Sequence, residues 1–276
     1  MSCYGGPMKH NLFNDAKYDP VTLLPVTDRG DWVATSLGGM WSILNPHPRD
    51  VFIDDLAWGM ARTCRYGGQL KHDVELYSVA EHATAMTWWA IENGRVRHVE
   101  DALAILLHDA SEAFYGDIPT PIKKMLPDYK IMEDRAQLVI QDAFGLTAEN
   151  TLITKKEIKE IDVRIRIDEL LSIIEEPALS AGLNVTWESD PDLERLGVEV
   201  ACMLPSQARA SFMSCMTWVC ENMPYRDPAI TPLIVMHLDR VLEPTGGKKP
   251  KKMQVVEYPY EKNEVLTHDD DAELTF

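Results

Sequence analysis

The chain has 276 residues, of which 45% are hydrophobic, and this length suffices to bury one sizeable core with a smaller appendage. Acidic residues outnumber basic residues by 44 to 27, and the formal net charge of −17 argues against a nucleic-acid polymer as partner, because such binding needs a basic surface. The five cysteines lack short paired spacings, the first residues lack a signal-peptide pattern, and no apolar run is long enough to span a membrane. We therefore expect a cytoplasmic protein without membrane contacts.

Residues 1–50 contain frequent Pro, Gly, Asn and Asp residues and lack helical periodicity. Short strands are predicted around residues 32–35 and 41–44. We interpret this segment as an irregular N-terminal arm that packs on a helical core.

The pattern turns helical from residue 53, and a second helix is predicted to begin at Ser78, where Glu81 three residues later completes the pattern of a capping box. A third helix is predicted over about 100–114. Further helices are predicted over 129–144, 154–176, 192–203 and 206–222, the last with Ser206 as its cap. The prediction is an all-α protein with a core over 51–225 and a helical C-terminal extension over 226–276, which ends in an acidic, flexible tail.

Chemistry-bearing residues are concentrated in the third predicted helix and just beyond it. His108 and Asp109 directly follow an apolar run, and Glu112 lies four residues after His108, so that the two side chains would share one helical face. Asp117 comes next, and the prolines that follow it predict the end of helical structure. Burying an unpaired carboxylate costs several kcal/mol, so packing alone does not explain these residues.

Two further polar residues are predicted on helices: His82 in the second turn of its helix, and Asp162 beside the buried stripe of another. Together with His108 and Asp109 they would form a mixed nitrogen and oxygen site that suits a divalent transition metal. Such a metal would lower the pKa of bound water and polarise a phosphoryl group. Glu112 could orient that water or carry its proton.

The order of His82, His108-Asp109 and Asp162 resembles the H…HD…D signature of the HD-domain metal-dependent phosphohydrolases. Longer phrases resemble the branch that contains bacterial 5′-deoxynucleotidases and related phage deoxynucleotide hydrolases. These phrases are RYGG at 65–68, YSVAEH at 77–82 and HDASEAFYGDIPTPIK at 108–123. The resemblance covers about residues 50–176. It implies an HD-domain helical bundle, one bound divalent metal ion, and hydrolysis of a phosphoester on a deoxynucleotide.

The resemblance also implies roles for individual residues. The positions that match the metal ligands are His82, His108, Asp109 and Asp162. Glu112 and Asp117 match the residues that handle the attacking water and the leaving group, and Arg65 matches the arginine that grips the phosphate. Tyr66 stands where the deoxynucleotidases have a tryptophan that reads the 2′ position. Independently of the resemblance, Lys123 is a candidate for binding phosphate charge.

Three functions remain open at this point. The first is a phosphohydrolase that acts on (deoxy)nucleoside 5′-monophosphates. The second is the same chemistry on a deoxynucleoside triphosphate, a cyclic nucleotide or a guanosine alarmone, although a triphosphate would need more cations than Arg65, Lys123 and Lys124 offer. The third is a non-catalytic nucleotide sensor. The metal is left open among Mn, Co, Zn, Mg and Fe, and a homodimer is an open alternative because members of the resembled family are often dimers.

Overall fold

The computed structural model describes residues 30–174 and 194–241, with side chains up to residue 238. Within these ranges the chain forms nine α-helices and one two-stranded sheet, which confirms the all-α fold class. None of the described helices combines the length and apolarity that a membrane crossing requires. The interpretations of residues 1–29 and 242–276, including the acidic tail, lie outside the described residues.

The elements are, in chain order, strands β1 (Trp32–Ala34) and β2 (Met40–Ser42), and helices α1 (Ile53–Arg62), α2 (Val79–Glu92), α3 (Val99–Leu106), α4 (Glu112–Tyr115), α5 (Thr120–Lys123), α6 (Pro127–Ala143), α7 (Lys155–Ile173), α8 (Pro205–Asn222) and α9 (Thr231–Val241). A 3₁₀ turn at Arg65–Gly68 follows α1. The helices predicted over 129–144, 154–176 and 206–222 correspond to α6, α7 and α8.

The N-terminal sheet confirms the two predicted strands. β1 and β2 pair antiparallel, with Val33 opposite Trp41. Trp41 is fully buried and stacks on Phe114 of α4, with ring centroids 4.1 Å apart and planes 7° apart. Its indole Nε1 also donates to the hydroxyl of Tyr115 at 3.1 Å. The sheet is therefore attached to the helix that begins with Glu112.

The core lies where α8 packs against α1, α2 and α3. Its largest fully buried aliphatic and aromatic side chains include Leu56, Met60, Met86, Leu103, Ile105 and Phe212. Gly59 allows α1 to approach α4 closely, because a Cβ atom at this position would lie 2.6 Å from the carbonyl oxygen of Ala113. This close approach brings the start of α4 against the end of α1, from which the Arg65–Gly68 turn leads on.

The predicted helix over 100–114 is wrong in its middle. α3 ends at Leu106, and the next residues turn with the tighter spacing of a 3₁₀ helix, as in the N–H of Glu112 donating to the carbonyl of Asp109 at 3.0 Å. The side-chain amide of Gln137 on α6 accepts from the N–H of Ser111 at 3.2 Å and donates to the carbonyl of Leu107 at 2.6 Å. In an uninterrupted α-helix, the N–H of Ser111 would donate to the carbonyl of Leu107 instead.

Since α6 takes over both groups, the α-helix is interrupted between His108 and Glu112. The expectation that these two side chains share one face of a continuous helix is therefore wrong. His108 and Asp109 lie on the turn between α3 and α4, and Glu112 begins the next helix.

The prolines after Asp117 do not end helical structure as predicted. The short helix α5 begins at Thr120, directly after Pro119 at its cap, and Pro121 lies in its first turn. At that position the missing N–H group would have no partner within the helix in any case.

The helix predicted over 192–203 is absent from its described part, since residues 194–203 are irregular. The backbone N–H groups of Ala201, Cys202 and Met203 instead donate to the carboxylate of Glu81, at 2.8, 2.9 and 2.7 Å. The capping box at Ser78 is consequently only half formed. The Ser78 hydroxyl accepts from the Glu81 N–H at 3.2 Å, but the Glu81 carboxylate faces the distant segment.

The predicted cap of α8 is also wrong. Leu204 is the N-cap residue and Pro205 occupies the first helical position, so Ser206 lies inside the first turn. The N–H of Leu204 is bound by the side chain of Gln207 at 3.0 Å. The apolar run near residue 233, which periodicity leaves undecided between strand and helix, forms α9.

Candidate active site

Three predicted ligands form a compact cluster between two helices. His82 lies in the first half of α2, and His108 and Asp109 lie on the turn after α3. Each of the three can contribute one ligand atom such that these atoms all lie within 4.8 Å of one another. The two imidazole rings are tilted by 44°, with centroids 5.4 Å apart. The cluster could hold a metal ion.

Both imidazoles are fixed from behind through Nδ1. His82 Nδ1 lies 2.5 Å from Oε1 of Glu169, and His108 Nδ1 lies 2.8 Å from the carbonyl oxygen of Ile105. Carboxylates and carbonyls accept only, so each Nδ1 carries the hydrogen. The two Nε2 atoms are buried and have no hydrogen-bond partner among the described residues. A neutral imidazole in this orientation offers the Nε2 lone pair that a metal ion requires, so the donors fit such an ion.

Two carboxylates accompany these nitrogens. Oδ2 of Asp109 lies 3.0 Å from His108 Nε2, and Oδ1 of Asp162, on α7, lies 3.3 Å from His82 Nε2. Burial is the largest influence on Asp109 and would raise its pKa, but the lowering effects of His108 and His82 together outweigh burial and hold the pKa well below its usual value. The nearby His82, together with the charges of His108 and Lys159, does the same for the pKa of Asp162, again against burial. Both side chains are thus available as anionic oxygen donors beside the imidazoles.

The proton on His82 competes with any metal. Burial and the charge of Arg65 lower the pKa of His82, but Glu169 and Asp162 outweigh them and raise it to about 8. Metal binding at Nε2 must displace this proton below that pH.

The structure brings Arg65 to the same cluster from the Arg65–Gly68 turn. Its guanidinium nitrogens lie 3.7 Å from Asp109, 4.0 Å from Asp162 and 3.3 Å from Glu169. The side chain is 10% exposed, and its Nε is buried without a partner in the described part of the chain. A cation with an unused donor next to the cluster can bind an anionic oxygen.

Tyr66 is held at both ends. Its backbone has φ of +59°, in the left-handed region that non-glycine residues rarely adopt. Its N–H donates to Oδ2 of Asp117 at 3.2 Å, and its hydroxyl donates to Oε2 of Glu169. The turn thereby connects Asp117 with α7, and the Tyr66 hydroxyl is directed into the protein.

Glu112 is 4% exposed, and its Oε2 atom has no hydrogen-bond partner within the described ranges. Burial, and then the negative charges of Asp109 and Asp117, raise the pKa of Glu112 well above its usual value. A buried carboxyl group with a raised pKa keeps its proton to a higher pH than usual and can act as a proton donor.

Lys123 lies beside Glu112 rather than at an open position. Its Nζ donates to Oε1 of Glu133 at 2.7 Å and lies 3.6 Å from Oε1 of Glu112. Glu133 is therefore the close ion-pair partner of Lys123, and the sequence did not point to Glu133. The other predicted site residues lie nearby. Arg65 and Asp162 lie next to the histidine cluster, and Asp117 contacts Tyr66.

Glu169 is the main functional candidate that the sequence reasoning missed. It is fully buried on α7 and accepts from the hydroxyl of Tyr77 at 2.9 Å as well as from Arg65, Tyr66 and His82. Burial raises its pKa, but Arg65 and His82 outweigh burial and lower it to about 2. A signal was present in the sequence. Glu169 follows Asp162 by seven residues, which is two helical turns and hence the same face.

Fold and site together define an all-α, HD-like helical bundle that contains a His/His/Asp cluster.

No model of a known protein family matches the chain. The uncharacterized protein RCAP_rcc00048 of Rhodobacter capsulatus is 32% identical over 186 residues, which are 66% of this chain and 91% of that protein. The uncharacterized protein YfdR of Escherichia coli K12 is 40% identical over 97 residues, 35% of this chain and 49% of YfdR. The 5′-deoxynucleotidase of Enterobacter sp. strain 638 is 35% identical over 89 residues, 31% of this chain and 44% of that enzyme.

The chain belongs to the family of the R. capsulatus protein, because the similarity covers nearly all of that relative. It spans about half the length of YfdR and less than half of the deoxynucleotidase. The similarity to an enzyme with a stated activity is therefore confined to a part of both chains.

Proposed function

We propose that this protein is a metal-dependent phosphohydrolase that removes phosphate from (deoxy)nucleoside 5′-monophosphates. One observation carries the proposal: two imidazoles, each fixed at Nδ1, place buried, partner-free Nε2 atoms beside two carboxylates in the described structure. The relatives named 5′-deoxynucleotidase support a nucleotide as the substrate. The cytoplasmic location and the homodimer stay predictions.

The proposed metal ligands are His82, His108, Asp109 and Asp162. A bound divalent ion would supply Lewis-acid polarisation of the phosphoryl group and activation of water. The mixed nitrogen and oxygen donors suit a divalent transition metal such as Mn, Co, Zn or Fe, with Mg as a further candidate, rather than a metal that prefers thiolates.

The other residues bind the substrate and move protons. Arg65 would bind a phosphate oxygen through its guanidinium group, including the unpaired Nε. Glu112, whose raised pKa favours the protonated form, would give its proton to the leaving oxygen. Asp117, which also holds the Tyr66 backbone, would orient the attacking water or the sugar end of the substrate.

A monophosphate fits the charges of the site better than a triphosphate. Among the described residues, Arg65 has an unpaired donor at the cluster, whereas Lys123 forms a close ion pair with Glu133. A triphosphate would bring more negative charge beside Asp109 and Asp162 than these cations can compensate. Hydrolysis of a triphosphate, a cyclic nucleotide or an alarmone is the second candidate function.

The test uses the full chain, freed of metal with a chelator and reloaded separately with Mn²⁺, Co²⁺, Zn²⁺, Mg²⁺ or Fe²⁺. Ribo- and deoxynucleotides are offered as mono- and triphosphates, together with a cyclic nucleotide and an alarmone, and the assay distinguishes phosphate, pyrophosphate and triphosphate. We expect phosphate release from monophosphates that is abolished in Asp109→Ala and unchanged in Asp128→Ala, an exposed control. Turnover of the other nucleotides alone would favour the second candidate. No turnover with any metal would contradict both and favour the sensor.

A further inference from the structure

We propose that Glu169 is a positioning residue that connects the metal centre with the substrate-binding turn through its two carboxylate oxygens. The inference rests on the proposed function. Oε1 contacts His82 and Tyr77, whereas Oε2 contacts Arg65 and Tyr66. One oxygen thus serves the proposed metal ligand and the other serves the proposed phosphate-binding residue.

The Oε1 contact determines which nitrogen of His82 faces the metal centre. Because Glu169 accepts the Nδ1 hydrogen at 2.5 Å, the lone pair is left on Nε2, on the side of Asp162. A carboxylate behind a metal-binding imidazole fixes the ring orientation and makes the ring a stronger ligand. His108 has only a backbone carbonyl in the corresponding place, so the two histidines are supported unequally.

The Oε2 contact sets the direction of the Arg65 guanidinium. Nη2 of Arg65 lies 3.3 Å from Glu169, while Nη1 reaches toward Asp109 at 3.7 Å. The neighbouring Tyr66 hydroxyl shares the same oxygen and ties the turn itself to α7. Arg65 is thereby held next to the cluster, at the position where it would meet a phosphate.

The Tyr77 hydroxyl makes the arrangement rigid. Tyr77 is 1% exposed and donates to Oε1 at 2.9 Å, so the carboxylate has partners on both oxygens and no contact with water. A fully buried carboxylate with this set of donors has one orientation available. Any rotation that improved the contact to Arg65 would disturb the contact to His82, and this connects the two halves of the site.

The first experiment measures metal binding without substrate. The chelator-treated full chain and its Glu169→Gln variant are titrated with Mn²⁺ by calorimetry, with Glu160→Gln as control because Glu160 lies on the same helix and forms a partly exposed ion pair with Arg95. We expect Mn²⁺ affinity to fall about 10- to 100-fold in Glu169→Gln and to stay at the wild-type value in Glu160→Gln. An unchanged affinity in a folded Glu169→Gln variant would overturn the inference.

The second experiment separates the two oxygens. Tyr77→Phe removes a donor from the Oε1 side, and we expect Mn²⁺ affinity to fall about 10-fold with little change in KM measured at saturating metal. Tyr66→Phe removes a donor from the Oε2 side, and we expect KM for the nucleotide to rise about 10-fold with unchanged Mn²⁺ affinity. Identical effects of both variants on both quantities would contradict the division of roles. These variants also keep the inference testable if Glu169→Gln does not fold.

The outcomes separate this inference from the function beneath it. If the wild-type chain neither binds Mn²⁺ nor hydrolyses nucleotides, the proposed function fails, and the role of Glu169 toward the metal fails with it. If the wild-type chain does both and Glu169→Gln matches it in Mn²⁺ affinity and in KM, the function stands and only the role of Glu169 is refuted.

Discussion

The two ends of α3 carry polar clusters that look alike in the sequence and differ in the structure. At the N-terminal end, Glu100 accepts from the N–H groups of Arg226 and Asp227 at 2.9 and 2.7 Å. Asp101 accepts from the Arg226 side chain at 2.7 Å and from the N–H of Leu152 at 2.7 Å. Neither acidic side chain has a buried atom without a partner.

At the C-terminal end, the cluster at His108 has unpaired polar atoms. His82 Nε2, His108 Nε2, Arg65 Nε and Glu112 Oε2 are buried, and none has a hydrogen-bond partner within the described ranges. Leaving such atoms unpaired costs stability. The comparison teaches that buried charge by itself does not mark a functional site. At this end of α3, the unpaired atoms beside the histidine cluster indicate a functional site, whereas the paired acidic side chains at the other end indicate a structural role.

The largest effect that the comparison predicts is for Asp109→Asn. This substitution keeps the shape of the side chain and removes its charge from the C-terminal end of α3, where polar atoms are unpaired. We expect turnover to fall at least about 10³-fold, because metal-assisted charge stabilisation contributes several kcal/mol. We also expect the midpoint of thermal unfolding of the metal-free chain to change little. Phosphate release and differential scanning fluorimetry measure the two quantities. A large loss of stability with turnover retained would assign Asp109 a structural role.

The next effect is for Glu112→Gln, which removes the proton donor and leaves the proposed ligands in place. We expect kcat to fall about 10²-fold, the lower limit for general acid catalysis. Because the acid must be protonated, the wild-type kcat should fall as the pH rises through the raised pKa of Glu112. The pH profile of the variant should lack this limb while its Mn²⁺ affinity stays unchanged. An identical profile in the variant would exclude Glu112 as the donor.

At the N-terminal end of α3, where the acidic side chains are paired, a substitution should lower stability and leave turnover nearly unchanged. Asp101→Asn removes the charge that Arg226 and the N–H groups of Leu152 and Ile153 contact. We expect a loss of about 1.5–3 kcal/mol in the free energy of unfolding, the usual range for hydrogen bonds to a charged group. Urea denaturation measures it, and kcat at 25 °C should stay within about twofold of wild type. A turnover loss like that of Asp109→Asn would abolish the distinction between the two ends.

A smaller effect concerns pH and stability. Burial raises the pKa of Asp101, but the hydrogen bonds from Arg226, Ile153 and Leu152 together outweigh burial, so that the folded pKa lies below the usual 3.8. The contribution of Asp101 to stability is therefore present in full above about pH 4 and is lost as the pH falls through the folded-state pKa. The stability difference between wild type and Asp101→Asn should shrink below pH 4. A difference that does not change with pH would show that the charge is not what stabilises this end.

The sequence predicts the helices well where one periodic face is buried, as in α6 and α7. It fails where a distant side chain competes for the backbone. Gln137 replaces the helical hydrogen bond between Leu107 and Ser111, and Glu81 takes the N–H groups of residues 201–203. Neither competition leaves a trace in local periodicity, because the partners are 26 to 122 residues apart.

The site is more predictable than the elements that carry it. The pattern of His82, His108, Asp109 and Asp162 can be recognised in the sequence, because packing alone does not explain polar residues next to buried apolar ones. Glu169 and Glu133 were missed because helices rich in charge hide a buried carboxylate among exposed ones. The role of Lys123 also depends on Glu133, a contact that only the folded chain reveals.

The contact of Glu81 with residues 201–203 has a consequence for how the protein is made. All proposed metal ligands lie within the first 162 residues. The backbone donors to Glu81, the neighbour of His82, lie 120 to 122 residues after Glu81 in the chain. A chain that ends before residue 201 therefore lacks all three backbone donors that Glu81 has in the folded protein. A chain that stalls between α7 and α8 would contain the whole catalytic set and still lack a finished site.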